Sequence, residues 1–501
     1  RLGYVLDAAC RRPEFSDREV TELLNCTMRH VEALRDDDRF AAHSNHGFYF
    51  AAGQLALARR FAPTLPELQS DVAQARDRLL QLVDDQFASD GIHREHSTDY
   101  ARMVLSTFEN LIDSGLIEGS DFIDRRNLVQ DALAWFVMPD GYLTMFGDSP
   151  HRAFTLKPSR GDVWYVEPEQ IGSQALVFQA TGGVRGRPPE TSVRAFPDGG
   201  FAVVREGWPT GSEDFGDWGY LAQICAFHSR VHKHADDLSF VWYDRGHEIL
   251  IDPGRFGYGE RAKGELKDQG FYYADPRRVY VESTAAHNTV EIDGRSYNRK
   301  VERPYGSALR RCGEVGGIAY TEAVVVHAED VIHERVLLYR PARWLLVLDW
   351  VSDPRNKCHD VAQHFHFAPE LAVREHKDTV QVELPDRDLL HVVSLDGATG
   401  LPVVSGQKRP MRGWISRKDG EIEPCSSTGF RRRGSAVALA TLLAFSDLPR
   451  PASCRFADDR RAATVEWDAA GLRHRVEIKR NDPFEIAHHV AVERGGGSNR
   501  P

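Results

Sequence analysis

The chain has 501 residues, of which 42% are hydrophobic and 27% are charged, and its formal net charge is -11. This length exceeds the roughly 250–300 residues at which single cores stop growing, so two domains are expected, and no apolar run approaches the ~20 residues of a membrane helix. The negative charge argues against non-specific binding to nucleic acid, because neutralising phosphates needs a surplus of Lys and Arg on one face.

Residues 1 to about 140 show the three- and four-residue spacing of apolar side chains that is typical of helices. The first such stripe follows Ser16 and Glu19, which form a capping-box pattern at the start of a predicted helix. Short polar turns containing Asp, Gly or Pro separate the later stripes. About five helices are expected without strands between them, the later ones over residues 44–61, 66–87, 97–114 and 121–137.

From about residue 190 onward, the apolar period changes to two, which is typical of strands. These short segments are bounded by Gly, Asp, Asn or Pro. Strands that recur without intervening helices pair antiparallel, so a large antiparallel β-sandwich is predicted. Its strands are expected at residues 201–205, 238–243, 248–252, 289–292, 344–349, 379–384, 436–440 and 463–467.

The predicted domain organisation follows from this change of period. A helical part spans residues 1–150, a linker and inter-domain loop spans 151–192, and the β-sandwich spans 193–490. Residues 491–501 are expected to form a flexible tail. The chain opens with neither an initiator Met nor a secretory signal segment, which indicates a processed protein or a fragment.

The densest group of chemically active side chains lies between residues 228 and 290. His232 and His234 alternate in a segment interpreted as a strand, so their side chains are predicted to share a face. Asp252 and His287 lie at separations suited to neighbouring strands. Two imidazole nitrogens and one carboxylate oxygen form a ligand set that suits zinc, whereas a hydrogen-bonded network of His and Asp without metal is the alternative.

The cysteines and the basic residues give weaker signals. Seven cysteines are widely spaced, odd in number and without a CxxC pair, so neither a disulfide framework nor a thiolate metal site is predicted. A cluster of basic residues could form a pocket for an acidic ligand, and a solvated surface of mixed charge is the alternative. The cluster comprises Arg255, Arg261, Lys263, Arg277, Arg278, Arg295, Arg299 and Lys300.

Two polar spots in the helical half carry side chains that packing alone does not require. Asn45 and His46 open a predicted helix, where Ser44 or Asn45 is a suitable N-cap. Tyr100 follows a polar turn at residues 90–99 and opens another helix. The alternative without function is an ordinary helix cap followed by a solvated His at the first spot. At the second spot, the alternative is an amphipathic Tyr that packs at a domain edge.

Together these groups suit the β-elimination of a uronate residue within a polysaccharide. In that reaction a proton leaves C5, and the glycosidic oxygen at C4 departs with a proton. The C5 proton has a very high pKa, so the neighbouring carboxylate must be neutralised or hydrogen-bonded, as an Asn amide or a protonated His can do. Tyr and His can then act as proton acceptor and proton donor when their pKa values are tuned by their surroundings.

Five motifs of one enzyme family occur in the family's order and at similar spacings: Asn45-His46, Glu95-x-Ser97-x-x-Tyr100, His232-x-His234-x-Asp236, Asp252-Pro-Gly254 and His287-Asn288-Thr289-Val290. By these motifs the chain resembles the heparinase II/III-like polysaccharide lyases, which include heparin and heparan sulfate lyases and several alginate lyases. The resemblance implies an α+β multidomain fold, an (α/α) toroid followed by a large antiparallel β-sandwich, with the glycan in the cleft between them. Only about 45 residues precede Asn45, so the toroid is expected to be short or incomplete.

The resemblance implies a catalytic role for four residues. Asn45 and His46 would face the substrate carboxylate, and Tyr100 would be the base or acid at the reacting sugar. His232, from the second half of the chain, would be its partner acid or base.

The same resemblance implies a structural zinc ion held by His234, Asp252 and His287. An acidic polysaccharide is the expected partner, without nucleic acid or membrane insertion, and the implied location is periplasmic or secreted. Four further side chains are predicted to bind the glycan, namely Tyr49, Glu95, Arg255 and Tyr258.

Three functions remain open at this point. The leading one is a lyase that leaves a 4,5-unsaturated uronate at the new chain end. The second is a catalytically inactive glycan-binding or exopolysaccharide-assembly protein with the same fold. A third, a zinc-dependent hydrolase with Asp236 or Asp237 as general base, would leave Asn45 and Tyr100 without a role.

Overall fold

The computed structural model has a helical N-terminal part that precedes a large antiparallel sheet domain, so the predicted fold class is confirmed. The Ser44 N-cap candidate, the basic residues Arg299 and Lys300, and the predicted tail beyond residue 492 lie outside the described residues. The structure describes residues 2–42, 45–154, 171–209, 215–226, 232–298, 306–327, 330–377, 379–445, 448–457 and 459–492.

The helices of the described residues include the five predicted ones, and two more belong to the helical part, one at its start and one inside the predicted linker. None of the described helices is both long and apolar enough to cross a membrane. The helices are α1 (Leu2–Arg11), α2 (Asp17–Arg35), α3 (His46–Phe61), α4 (Gln69–Gln86), α5 (Thr98–Asp113), α6 (Ser120–Ala134), α7 (Gln174–Ala180), α8 (Gly264–Asp268) and α9 (Pro276–Glu282).

Local signals and apolar packing stabilise the helical part. The capping box at the start of α2 is confirmed, because the Ser16 side chain accepts from the Glu19 backbone N–H and the Glu19 carboxylate accepts from the Ser16 N–H at 2.8 Å. Phe48 of α3 and Phe108 of α5 are buried with their ring centroids 6.3 Å apart. Leu176 of α7 joins this core, so the end of the predicted linker packs with the helices.

The strands of the sheet domain begin at residue 193, close to the change of apolar period in the sequence. They are β1 (Val193–Phe196), β2 (Phe201–Arg205), β3 (Tyr220–Ile224), β4 (Phe240–Asp244), β5 (His247–Leu250), β6 (Val290–Ile292), β7 (Leu309–Val315), β8 (Ile318–Val326), β9 (Ile332–Arg340), β10 (Trp344–Ser352), β11 (His359–Phe367), β12 (Ala372–His376), β13 (Thr379–Glu383), β14 (Leu389–Ser394), β15 (Thr399–Ser405), β16 (Gln407–Lys408), β17 (Met411–Arg412), β18 (Trp414–Ile415), β19 (Glu423–Pro424), β20 (Ser426–Gly434), β21 (Ala436–Ala444), β22 (Arg450–Phe456), β23 (Ala462–Ala469), β24 (Leu472–Lys479) and β25 (Glu485–Val492).

Three antiparallel sheets carry most of these strands. The first has the order β1-β2-β3-β4-β5-β11-β20-β15, with β6 also paired to β11. The second has the order β12-β13-β14-β21-β10-β9-β8-β7, and the third is the meander β22-β23-β24-β25. Strands β16 with β17 and β18 with β19 form two short hairpins beside them.

Strand β10 explains how the sheets stack. Its residues are all buried, but they alternate between two cores. Leu345 and Val347 belong to the core shared with the first sheet, whereas Trp344 and Leu346 belong to the core shared with the third. The second sheet is therefore covered on both faces, which is why β10 is a nearly continuous apolar run.

A separate apolar core joins the helical part to the sheet domain. Phe136 and Phe146 come from the helical side and Phe201 comes from β2 of the first sheet. The ring of Phe201 lies 5.1 Å from that of Phe136 and 5.4 Å from that of Phe146, measured between centroids. The two parts are thus held against each other by buried aromatic surface.

Candidate active site

Tyr100 is positioned by the N-terminal cap of α5. The Ser97 hydroxyl oxygen accepts from the Tyr100 backbone N–H at 3.2 Å and donates to the Asp148 carbonyl at 3.0 Å. The preceding turn needs Gly91, which has a φ of +87° and where a Cβ atom would lie 2.5 Å from the Leu128 carbonyl oxygen. The position of the phenol is therefore set by the start of α5 and by its contact with the loop that carries Asp148.

His232 of the sheet domain meets Tyr100 of the helical part. Their rings stack with centroids 3.5 Å apart and an angle of 18° between the planes. The imidazole side chain is 13% exposed, so it borders solvent without being open to it. The structure thus brings together the two groups that the sequence assigns to proton transfer.

The expectation that His232 and His234 alternate along a strand is wrong. The described residues 232–239 are turns and irregular backbone, and β4 begins only at Phe240. The two rings converge because both reach one carboxylate, Asp148. His232 Nδ1 lies 2.8 Å from Asp148 Oδ2, and His234 Nε2 lies 2.9 Å from Asp148 Oδ1.

Sequence reasoning missed Asp148, which stands in a Gly-Asp-Ser-Pro segment outside the predicted helices and motifs. Its side chain is fully buried and also contacts Arg278, with Nη2 at 2.5 Å from Oδ1. Burial alone would raise the pKa of Asp148, but the Arg278 charge and the hydrogen bonds from His232 and His234 hold that pKa well below its ordinary value. The signal in the sequence was Gly147, because a glycine can mark a turn, and its φ is indeed +56°.

Tyr258 connects Tyr100 and His232. Its hydroxyl oxygen lies 2.7 Å from the Tyr100 hydroxyl and 3.0 Å from His232 Nδ1, and its O–H donates to Asp148 at 3.1 Å. The Tyr100 O–H can then donate to Tyr258. Burial raises the pKa of Tyr100 more than the hydrogen bond with Tyr258 lowers it, so the Tyr100 phenol is protonated at neutral pH.

Two further predicted glycan-binding residues border this cluster. Glu95 Oε2 lies 3.6 Å from His232 Nε2, on the side of the ring opposite Asp148. Arg255 donates from Nε and Nη2 to the Asp419 carboxylate at 2.8 and 2.7 Å, and its guanidinium lies 5.6 Å from the Tyr258 ring centroid. The structure therefore places both beside the Tyr100 and His232 pair.

Asn45, His46 and Tyr49 lie together at the start of α3. Asn45 occupies the N-cap position, but its side chain does not cap the helix. Tyr49 is 64% exposed. The backbone here is tightly packed, since a Cβ atom on Gly47 would lie 2.5 Å from the Ala41 carbonyl oxygen. The roles of these three residues in binding a glycan are implied by the resemblance to the lyase family.

His234, Asp252 and His287 come together as the sequence predicts. One ligand atom from each lies within 4.8 Å of the others, and all three side chains are buried. His287 Nδ1 donates to the Ser283 carbonyl at 2.7 Å, so Nε2 carries the lone pair. Burial lowers the pKa of His287 to about 3, which keeps the ring neutral as a metal ligand must be.

The donor atoms of this group fit a cation. His287 Nε2 faces Asp252 Oδ2 at 3.7 Å, and both atoms are buried without a hydrogen-bond partner among the described residues. Each of these two buried atoms carries a lone pair that faces the other, an arrangement that a bound cation would satisfy. Because Asp148 holds Nε2 of His234, a metal ion would take the Nδ1 atom of that ring.

Asp236 and Asp237 support the turn between the two histidines. Both accept from the buried Lys233 ammonium, at 2.6 and 2.7 Å. Lys233 also contacts the Tyr297 hydroxyl at 3.1 Å. The two carboxylates are therefore engaged in a buried ion pair rather than poised as general bases.

Comparisons with known proteins place this chain in a family. The model of the heparinase II/III-like C-terminal domain matches residues 188–467. Heparin-sulfate lyase of Bacteroides thetaiotaomicron is 23% identical over 321 residues, which cover 60% of this chain and 43% of that protein. Heparin-sulfate lyase of Pedobacter heparinus is 21% identical over 348 residues, covering 67% of this chain and 48% of that protein.

A solved structure shows the same fold. A mutant of the heparan sulfate lyase from Pedobacter heparinus superposes with a TM-score of 0.70 at 16% identity, covering 96% of this chain and 74% of that one. The chain spans about half the length of the curated relatives it matches. Since the family model matches more than half of its residues, the chain belongs to the heparinase II/III-like family.

Proposed function

We propose that the protein is a polysaccharide lyase that cleaves a uronate-containing acidic glycan by β-elimination and leaves a 4,5-unsaturated uronate end. One observation carries this proposal. The Tyr100 phenol of the helical part and the His232 imidazole of the sheet domain stack at 3.5 Å, close enough to serve the same sugar ring. The lyase names of the matched relatives support the same reaction class.

The proposed mechanism assigns the proton transfers from the hydrogen bonds. His232 donates from Nδ1 to Asp148, which leaves the Nε2 lone pair to take the proton from C5. The C5–H electrons form the C4–C5 double bond as the C4–O bond breaks. Tyr100, protonated because of its raised pKa, donates to the departing oxygen. Asn45 and His46 would bind the carboxylate on which charge develops.

The proposed metal ion is a structural zinc held by His234, Asp252 and His287. Zinc would supply a fixed positive charge, and by binding Asp252 and His287 it would hold the turn at Asp252 next to segment 283–287. No proton transfer depends on it, because the reacting side chains are His232 and Tyr100. This separates the lyase proposal from a zinc hydrolase, whose general base would have to be Asp236 or Asp237.

The direct test is product formation from a panel of acidic glycans, including heparan sulfate, alginate, hyaluronan and bacterial exopolysaccharides. The conjugated double bond of the product absorbs in the ultraviolet, where the substrates do not. Tyr100→Phe is expected to lower turnover by about 10²- to 10⁴-fold, the usual contribution of general acid–base catalysis. Glycan affinity is expected to stay nearly unchanged, because only one hydroxyl is removed.

Tyr273→Phe is the matched control. The Tyr273 ring lies 5.1 Å from the Tyr258 ring, and it is Tyr258 whose hydroxyl contacts that of Tyr100. This variant is expected to keep wild-type turnover. Unchanged product formation by Tyr100→Phe would remove Tyr100 from the mechanism. Glycan binding by the wild type without any ultraviolet-absorbing product would instead support a catalytically inactive binding protein.

A further inference from the structure

We propose that Asp148 is a positioning residue for the reaction, which fixes the His232 ring with its Nε2 lone pair toward the sugar. The inference rests on the proposed lyase function and adds to it a residue outside the family motifs in the sequence. Its basis is the set of contacts made by one buried carboxylate. Asp148 reaches His232 and His234 at 2.8 and 2.9 Å, and Arg278 at 2.5 Å.

The direction of the hydrogen bonds determines the tautomer of His232. An ionised carboxylate can only accept, so the ring nitrogen that faces it must carry the proton. Asp148 Oδ2 lies at hydrogen-bond distance from Nδ1, 2.8 Å, whereas the Glu95 carboxylate lies 3.6 Å from Nε2, beyond that distance, and therefore Nε2 is the basic atom of the neutral ring. Without this contact the neutral ring could place its proton on Nε2, and the atom needed for proton abstraction would be blocked.

Asp148 is itself held in place on several sides. Arg278 pairs with it and also donates from Nε to Glu282 at 2.6 Å, which anchors the guanidinium on α9. The Asp148 backbone N–H donates to the His232 carbonyl at 2.9 Å. A Cβ atom on Gly147 would lie 2.4 Å from that same carbonyl oxygen, so glycine permits the close approach.

The contact also links the two parts of the chain. Asp148 lies at the end of the helical part, whereas His232, His234 and Arg278 belong to the sheet domain. One carboxylate thus sets the position of the proposed base and the ring of a proposed metal ligand. Because Asp148 is fully buried, it orients groups that contact the glycan without contacting the glycan itself.

The matched control is Asp349, another fully buried carboxylate with a comparable set of donors. It accepts from His333 at 2.7 Å, from Arg335 at 2.8 and 2.9 Å, and from Gln363 at 2.6 Å. These partners lie between the sheets and not at the Tyr100 site. Asp349→Asn is therefore expected to cost stability like Asp148→Asn, but not turnover of the folded enzyme.

Turnover is measured well below the melting temperature of each variant, with the glycan that the wild type cleaves best. Asp148→Asn is expected to lower kcat by about 10²- to 10⁴-fold, as loss of the orienting carboxylate does in a catalytic triad. KM is expected to change less than about three-fold, because Asp148 does not contact the substrate. A kcat of Asp148→Asn equal to that of Asp349→Asn would overturn the proposal.

A second measurement needs no substrate and does not depend on whether Asp148→Asn folds. Nitrogen-15 NMR of histidine-labelled wild-type protein, with His232→Gln for assignment, should show neutral His232 protonated at Nδ1. Protonation at Nε2 would overturn the proposal. If Nδ1 is protonated but no glycan yields an unsaturated product, the lyase assignment fails while the orientation by Asp148 stands.

Discussion

Asp252 divides its two carboxylate oxygens between a turn and a candidate metal site. Oδ1 accepts from the Gly254 N–H at 2.9 Å, which shapes the Asp-Pro-Gly turn after β5. Oδ2 faces His287 Nε2 at 3.7 Å. Burial and the nearby Asp236 charge raise the pKa of Asp252 well above its ordinary value, so an ionised Asp252 needs a cation beside it.

At the residue scale, we expect protein purified without chelator to carry about one zinc ion per chain, and His287→Ala to lose it. The change removes one of three ligands, so elemental analysis should show little zinc and thermal unfolding a lower midpoint. His364→Ala removes another buried histidine outside the group and should retain the metal. Equal zinc contents in the two variants would contradict the assignment.

At the scale of elements, Gln130 joins three helices of the helical part. Its amide donates to Glu109 of α5 at 2.6 Å. Its carbonyl accepts from the Gly172 and Ser173 N–H groups at 2.9 and 3.1 Å, just before α7. Burial raises the pKa of Glu109 to about 7, more than the hydrogen bond from Gln130 lowers it.

The raised pKa of Glu109 predicts a pH-dependent stability. In the unfolded chain this carboxyl ionises near pH 4.5, whereas in the folded protein it stays neutral up to about pH 7. Its contribution to stability is therefore fully present below pH 4.5 and is lost as the pH rises to about 7. Glu109→Gln should remove this loss and stabilise the protein at pH 8 by at most about 3.5 kcal/mol, since one pKa unit is about 1.4 kcal/mol.

Urea unfolding at pH 5 and pH 8 measures this effect. Glu118→Gln is a suitable control, because Glu118 belongs to the same part of the chain but its side chain is 74% exposed. That variant should leave the free energy of unfolding nearly unchanged at both pH values. If Glu109→Gln kept the wild-type pH dependence, Glu109 would not be the group responsible.

At the scale of the whole molecule, the aromatic core around Phe201 couples the helical part to the sheet domain. Phe201→Ala removes from the sheet domain a buried ring that packs against the helical part, and it should lower the free energy of unfolding by about 3–5 kcal/mol. Calorimetry should show one transition for the wild type and two separated transitions for the variant. The site spans both parts, so turnover should fall as well.

Phe484→Ala is the control for this coupling. Phe484 is buried in the core between the second and third sheets and stacks on Tyr320 at 4.4 Å between ring centroids. Its loss should destabilise the sheet domain without separating the helical part. Two resolved transitions in the wild type would show that the two parts unfold independently.

The features that could be predicted from the sequence depend on contacts between residues close in the chain, whereas those that could not depend on contacts between distant residues. The capping box of Ser16 and Glu19 involves residues three apart, and the apolar run of β10 lies within nine residues. Tyr100, His232 and the group of His234 were recognised by motif, and the structure brings them together. Asp148 belongs to no periodic pattern, and its partners His232 and His234 lie 84 and 86 residues away.

The sequence by itself determined the helical and sheet parts, because apolar periodicity is a local property of the chain. It also determined which side chains could perform chemistry. Only the tertiary structure decided that His232 and His234 converge on Asp148 instead of sharing a strand face, and that Tyr258 lies between Tyr100 and His232. Such contacts depend on how distant segments pack, and burial and charge then set the pKa values of the groups they enclose.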